Sequence, residues 1–438
     1  MSTVKKKIRN RAKVNLISLG CSKNLVDSEV LLRQFEANNL KIVDEPAESE
    51  IIVINTCGFI QDAKDESLQT ILEAAKLKES GQLQKLLVMG CLSQRYSEEL
   101  KKEIPEVDGF FGVTDYNSVL KEIGVNFKYD LIGERKLTTP SHFAYLKISE
   151  GCDNPCSFCA IPLMRGVHKS KPQAKIISEA EHLANQGVKE LILIGQDTTS
   201  YGLDISGKRE IAKLLQSLCM INGIDWIRLM YAYPTQFPLD VLDIIANEEK
   251  ICKYIDLPVQ HISDEILKSM RRGISKRKTY ELLETIKNKI PNLALRTTLI
   301  TGYPTESEKC FNELVEFINQ IRFDRLGVFT YSREEDTTAF ELGDPIPDST
   351  KRERRDLIME LQRDISLSKN RLLENSIVNV IVDEKINSDI IARTEKDAPE
   401  IDNEVIITSS DNNIDIGEFY SVEVTDSTEY ELYGEIVK

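Results

Sequence analysis

Cys152, Cys156 and Cys159 stand in the run C-D-N-P-C-S-F-C, a CxxxCxxC triplet within eight residues. Three thiolates at this spacing can hold three irons of a 4Fe–4S cube and leave the fourth iron open. An open iron is a Lewis acid that can chelate a small molecule and pass it an electron. A purely structural metal site is closed instead by a fourth protein ligand, as in tetrahedral zinc motifs. Ferredoxin runs also supply a fourth cysteine close by, at a different spacing. Here the next cysteine is Cys219, far downstream. A zinc loop or a chance grouping is the plain alternative.

Three more cysteines share a context. Cys21, Cys57 and Cys91 occur as L-G-C, N-T-C-G and M-G-C. Each falls just beyond a short apolar run that reads as a buried strand, Val14–Ser18, Ile51–Asn55 and Leu86–Met89. In an open parallel sheet the C-terminal strand ends face one crevice, so cysteines far apart in sequence converge there. The plain alternative is ordinary core thiols, which are common. Residues 13–128 therefore read as a small parallel α/β domain, with its first helix expected over Asp27–Asn38.

The elements that must position the triplet form a longer alternation over residues 138–368. Strands are predicted at Ala144–Ile148, Glu190–Ile194, Trp226–Met230, Tyr254–Pro258, Leu293–Ile300 and Arg325–Phe329. Helices fall between them, among them Lys175–Gln186, Arg209–Leu218, Asp264–Met270 and Ser307–Ile321. This is the pattern of a complete or partial TIM-type βα barrel, whose chemistry sits at the strand C-termini. The triplet follows the first of these strands. A charged helix, Thr350–Leu373, connects to residues 371–438, where short strands at Val378–Val382, Glu404–Ile407, Tyr420–Val424 and Glu431–Ile436 predict a small antiparallel β-barrel. The fold class is α/β with an appended β-barrel.

On the triplet, and with Phe158 between its second and third cysteines, the chain resembles the radical S-adenosylmethionine (SAM) enzymes. That resemblance implies a 4Fe–4S cluster on Cys152, Cys156 and Cys159 whose open iron binds SAM for reductive cleavage to a 5′-deoxyadenosyl radical. It also implies SAM contacts in the barrel mouth. Gln196 and Asp197 of G-Q-D-T, and Gln260 beside His261, follow strands, while Arg271, Arg272 and Arg296 are candidates to neutralise the SAM carboxylate. The stretch Thr298–Thr305 resembles the turn that backs adenine in related barrels. Cys219, Cys252 and Cys310 read as structural, and His142, His168 and His182 as surface or capping residues.

The order of domains extends the resemblance to the methylthiotransferases, whose C-terminal barrel is of the kind called TRAM. This implies a second 4Fe–4S cluster on Cys21, Cys57 and Cys91, the carrier of the sulfur that is methylated and transferred. The runs S18-L-G-C-S-K-N-L-V-D-S-E29, S149-E-G-C through R165-G166 and Y331-S-R-E-E-D-T-T-A339 resemble the family branch that modifies an aspartate β-carbon in small-subunit ribosomal protein twelve. The paired Glu334 and Glu335 stand where the tRNA-modifying branch carries basic residues. Asp336 departs from an expected glycine. A tRNA adenosine methylthiotransferase, MiaB-like, is the nearer rival. A non-catalytic iron–sulfur scaffold that docks on the ribosome is the further one.

Bulk properties bound these readings. At 438 residues, two to four domains are expected. No apolar run approaches the ~20 residues of a membrane helix, and the basic first dozen residues lack an apolar segment, so no membrane or export role is expected. Nine cysteines without an export signal fit reduced thiols in the cytoplasm. Net charge is −15, and residues 375–438 hold 16 acidic against 4 basic side chains. Such a barrel should repel phosphate backbones and steer a basic protein partner rather than bind nucleic acid strongly. A reductant such as flavodoxin or ferredoxin is the further implied partner.

Overall fold

The computed structural model describes residues 12–131, 133–408 and 414–437, so the basic N-terminal stretch through residue 11 lies outside the described residues. The chain divides into two compact units. One comprises the chain up to Thr138 with Glu150–Cys152 and Ala160–Val167, and the other comprises the remainder.

In the first unit five strands lie in the order Lys41–Ile42, Lys13–Ser18, Ile51–Thr56, Lys85–Gly90, Gly109–Phe110, all parallel. The run Ile51–Thr56 is buried at all six positions, as expected of a strand covered on both faces. Its side chains alternate between two cores. Ile51 and Val53 pack with Leu31 and Phe35, whereas Ile52 and Ile54 pack with Ile71 and Ala74. The two outermost strands have two residues each, too few to carry a period. The first helix spans Ser22–Ala37 and begins five residues before the predicted start. Its first turns bury Lys23, Asn24 and Asp27, so burial there is not written as hydrophobicity.

The second unit carries six parallel strands in chain order, Phe143–Lys147, Glu190–Ile194, Trp226–Leu229, Ile251–Asp256, Ala294–Thr301 and Arg325–Thr330. This is the arrangement of an open βα barrel. The helix Asp348–Arg371 then leads into a closed five-stranded barrel. Its order is Ile377–Ile386, Asp389–Thr394, Glu404–Thr408, Glu431–Ile436, Phe419–Ser427. One feature of the sequence-based expectation is corrected: the barrel is not wholly antiparallel, because Glu404–Thr408 and Glu431–Ile436 run parallel. The strand between them in sequence, Phe419–Ser427, pairs elsewhere and leaves these two as neighbours. The strand Asp389–Thr394 (D-I-I-A-R-T) was also not expected, since only Ile390, Ile391 and the small Ala392 mark it as apolar.

The closed barrel meets the N-terminal ends of the parallel strands through ion pairs and rings. Tyr254 Oη donates to Asp402 at 2.7 Å, Arg325 Nε to Asp397 at 2.8 Å, and Trp226 stands edge-on to Phe419 at 4.9 Å. His142 and His168, expected as surface or capping residues, are buried. His142 Nε2 lies 2.6 Å from Asp383, and His168 Nε2 lies 3.1 Å from Ser170 Oγ. No short-range pattern announces the partner of His142, because Asp383 is 241 residues away.

Candidate functional site

In the first unit three strands end in register, with Ser18 beside Asn55 and Thr56 beside Gly90. Cys57 and Cys91 follow their strands directly, and Cys21 follows after the Leu19–Gly20 turn. A Cβ built on Gly20 would fall 2.7 Å from Cys57 Cβ and 2.8 Å from its Sγ; one on Gly58 would fall 3.1 Å from the Cys91 carbonyl carbon. The three cysteine-bearing loops therefore touch, and the glycines permit it. The strand order places this meeting where the order reverses, between the first and second long strands, the crevice in which open α/β sheets bind ligands.

The thiols sit in contrasting surroundings, with Cys21 exposed and Cys57 and Cys91 buried. Burial raises the Cys57 thiol pKa. Cys91 is pushed up to about 12 by burial, opposed first by the Arg165 guanidinium. Bare, Cys57 and Cys91 hold their protons at neutral pH; a bound iron would displace them. Ser67 Oγ clamps the Cys57 peptide, accepting from its N–H at 3.0 Å and donating to its carbonyl at 2.9 Å. Asn24 donates to the carbonyls of Leu19 and Thr56 at 2.9 and 3.0 Å, tying together the chain just ahead of Cys21 and Cys57. Cys91 Sγ lies 3.8 Å from Asn24 Oδ1.

In the second unit the segment Asp153–Cys159 is fixed from several sides. Ser157 N–H donates to Met270 O at 3.0 Å and Ser157 Oγ to Ser269 O at 2.9 Å. Phe158 packs on Ile266, Met270, Tyr303 and Tyr331. Arg272 donates to Cys156 Sγ at 3.2 Å and to Pro258 O at 2.6 Å, stacked 4.3 Å over Tyr233, whose hydroxyl is 3.5 Å from the same sulfur. Arg272 thus serves a cysteine sulfur in this structure, not a free carboxylate. Arg271 is exposed and reaches Thr338 at 3.4 Å.

The polar residues expected in the mouth divide. Asp197 is buried, caps the turn Thr198–Ser200, and accepts from Asn154 Nδ2 at 2.9 Å. Its carboxylate is occupied in holding two loops. Arg296 is paired with Asp256 at 2.9 Å and Asp402 at 3.4 Å, so its charge is already compensated. His261 is enclosed, its Nδ1 accepting from Ile262 and Ser263 N–H at 2.9 and 3.0 Å. Gln260 differs. It adopts φ +69°, continues the sheet through Thr298 O and Ile300 N–H, and keeps its buried Oε1 without a hydrogen-bond partner. Ser149 Oγ, buried and equally without one, lies where a Cβ on Gly195 would fall, at 2.6 Å. Orphaned buried polar atoms call for an explanation, and a polar ligand supplies one. These residues fit SAM. The cysteines fit iron–sulfur clusters by donor type. Among the described residues no three His, Cys, Asp or Glu side chains could grip a single metal ion; a cube takes one thiolate per iron corner and does not need them to.

Family models match three stretches of the chain: the uncharacterized protein family UPF0004 over residues 13–112, the radical SAM superfamily over 146–318, and the TRAM domain over 376–437. The ribosomal protein uS12 methylthiotransferase RimO of Cytophaga hutchinsonii is 51% identical over 437 residues, covering 99% of this chain and 100% of its own. The RimO proteins of Flavobacterium johnsoniae and Chloroherpeton thalassium are 52% and 50% identical, covering 97% and 98% of this chain and 98% and 99% of their own. The chain belongs to the RimO methylthiotransferase family.

As a RimO-family chain it is a radical SAM enzyme. Among solved structures, the radical SAM methyltransferase TsrM of Kitasatospora setae aligns with a TM-score of 0.56 at 14% identity, over 75% of this chain and 77% of that one. The cobalamin-dependent SAM radical enzyme OxsB aligns at 0.52 and 13%, over 79% and 56%. Both likenesses are of fold. Among the described residues no helix is long and apolar enough to cross a membrane. Asn24, Arg165 and Tyr233 were not singled out from the sequence. The first two lie inside runs that resemble the family, but nothing in a run shows which of its polar residues turns inward.

Proposed function

We propose that this chain methylthiolates the β-carbon of an aspartate in ribosomal protein uS12, with Cys152, Cys156 and Cys159 holding one 4Fe–4S cluster and Cys21, Cys57 and Cys91 a second. The observation that carries the reading is half-identity to RimO enzymes along nearly the whole chain. When bound, the cluster on Cys152, Cys156 and Cys159 with SAM supplies the radical, and the cluster on Cys21, Cys57 and Cys91 supplies the methylthio group. The chain's own part is to position and to enclose. Arg272 and Tyr233 fix the Cys156 sulfur, Asp197 locks the Asn154 loop, and Gln260 and Gln196 offer polar contacts to SAM. Asp197 and Arg296 then support that site from behind. The functional segments are 13–128 for sulfur transfer, 138–368 for SAM cleavage and 371–438 for substrate docking. The enzyme works in the cytoplasm, reduced by a small electron carrier such as flavodoxin or ferredoxin.

Mass spectrometry of uS12 and of tRNA from a deletion strain tests the substrate. The uS12 aspartate should lose its methylthio group while tRNA adenosines keep theirs, and the reverse would establish the tRNA reading. Iron analysis after anaerobic reconstitution should give about eight irons per chain, as two cubes require. Gly20→Ala should halve that count, because its methyl would strike Cys57 and the φ of +84° alone strains any side chain by ~1–3 kcal/mol. Gly124→Ala, at φ +89° with nothing within 4 Å, should keep full iron; equal counts in both variants would sink the packing argument.

A further inference from the structure

We propose that Arg165 is a positioning residue for the Cys21/Cys57/Cys91 site, supplying the positive charge and the N–H donors that offset the thiolates gathered there. The inference rests on the reading that these cysteines hold a cluster.

Arg165 ends the short helix Ile161–Arg165 that follows the CxxxCxxC run. Ala160, Ile161 and Met164 of this segment pack with Cys91 and Val113, which carries the guanidinium into the first unit. Its side chain is 2% exposed. It donates to Asn24 Oδ1, to Asp27 at 3.2 Å and to Glu150 at 2.8 Å. Asn24 is the residue that ties the Cys21 and Cys57 loops together and faces Cys91 Sγ. The arginine therefore stands beside a side chain that contacts all three cysteine-bearing segments.

The chemistry of the donors says why an arginine belongs there. As a thiol, Cys91 can donate to Asn24 Oδ1. As a thiolate ligand it has no proton to give and seeks donors, and an amide oxygen offers none. A guanidinium has five N–H groups and stays charged when buried. Asp27 and Glu150 hold it in place, and Tyr116 Oη donates to Asp27 at 2.8 Å to fix that carboxylate in turn. Burial opposes the charge on Arg165, and Asp27, Cys91 and Glu150 outweigh it. A buried cation next to cluster sulfurs favours the reduced, more negative state and so raises the reduction potential. A residue that only staples two elements has no such electrical consequence.

The test uses the full chain with Cys152, Cys156 and Cys159 changed to Ala, so that iron binds at the first site alone. Midpoint potential is read by EPR-monitored titration, iron retention by release to a chelator, and folding by far-UV circular dichroism. Arg165→Met should shift the potential negative and speed iron release several-fold. Arg165→Lys keeps the charge but loses the fork, so its potential should stay near that of the parent while release is still faster. Asp27→Asn leaves the guanidinium less compensated and should shift the potential positive. An unchanged potential in folded Arg165→Met, or shifts of one sign in both Arg165→Met and Asp27→Asn, would overturn the inference. Should Arg165→Met fail to fold, the Lys and Asn variants decide by the same signs. A parent that binds no iron refutes the cluster reading, and this inference with it.

Discussion

Changing Cys156 to Ala should abolish SAM cleavage, while changing Cys57 to Ala should spare cleavage and stop methylthio transfer. The expectation follows from the separate surroundings of the two sets. Cys156 is held by Arg272 and Tyr233 at the C-terminal ends of the six-stranded sheet, where radical SAM chemistry is carried out. Cys57 follows a strand of the other sheet, its peptide clamped by Ser67. The measurement is 5′-deoxyadenosine after dithionite reduction, alongside methylthio-aspartate in uS12. Loss of 5′-deoxyadenosine in Cys57→Ala, with its second triplet still loaded with iron, would show that the two sets do not divide the work.

Much of this division was legible in the sequence because it is local. Short continuous apolar runs marked the three long strands, and a cysteine beyond each strand is a local fact. The expected glycine at position 336 was informative even though absent: Asp336 adopts φ +60°, a conformation that glycine and, less readily, aspartate accept. What escaped was contact at a distance. Arg165 and Asn24 are 141 residues apart in sequence, and their meeting depends on a helix packing that no periodicity encodes. Arg272 was singled out as a candidate for the SAM carboxylate; its contacts with the Cys156 sulfur and the Tyr233 ring were not written in any local pattern.

The acidic C-terminal segment needs a finer reading than its total charge. Several of its carboxylates are spent within the molecule, Asp397 on Arg325, Asp402 on Tyr254 and Arg296, Asp383 on Arg393 and His142. Net charge thus overstates the field this barrel presents. Among the described residues of this segment nine acidic residues are exposed, Glu384, Asp389, Glu400, Glu404, Asp415, Glu418 (paired with Lys189), Glu423, Asp426 and Glu435. These, rather than the whole sum, are available to steer a basic partner and repel phosphate.

Arg393→Ala should cost ~3–5 kcal/mol of stability, the usual penalty for leaving a buried charge without its partner. Arg393 lies between Glu190 at the foot of the parallel sheet and Asp383 in the closed barrel, with all three largely buried. The Arg393–Asp383 contact is 2.8 Å but is not aligned as a hydrogen bond, so the attraction is chiefly between charges. Burial opposes ionisation of Glu190, and Arg393 with Arg228 outweighs it, holding the carboxyl below its usual 4.5. A carboxyl lowered in the folded state stabilises above the unfolded value and loses that contribution as pH falls through the folded one. Without Arg393 the loss should begin at higher pH. Urea unfolding at neutral pH, repeated down to pH 4, reads both effects, and limited proteolysis should release the closed barrel first. Arg363→Ala provides the contrast, since its pair with Glu429 is exposed and screened by solvent and should change stability little. If the two variants unfold alike, the buried triad does not hold the closed barrel to the sheet, and the Tyr254–Asp402 and Arg325–Asp397 contacts with the packing of Trp226 on Phe419 must do so.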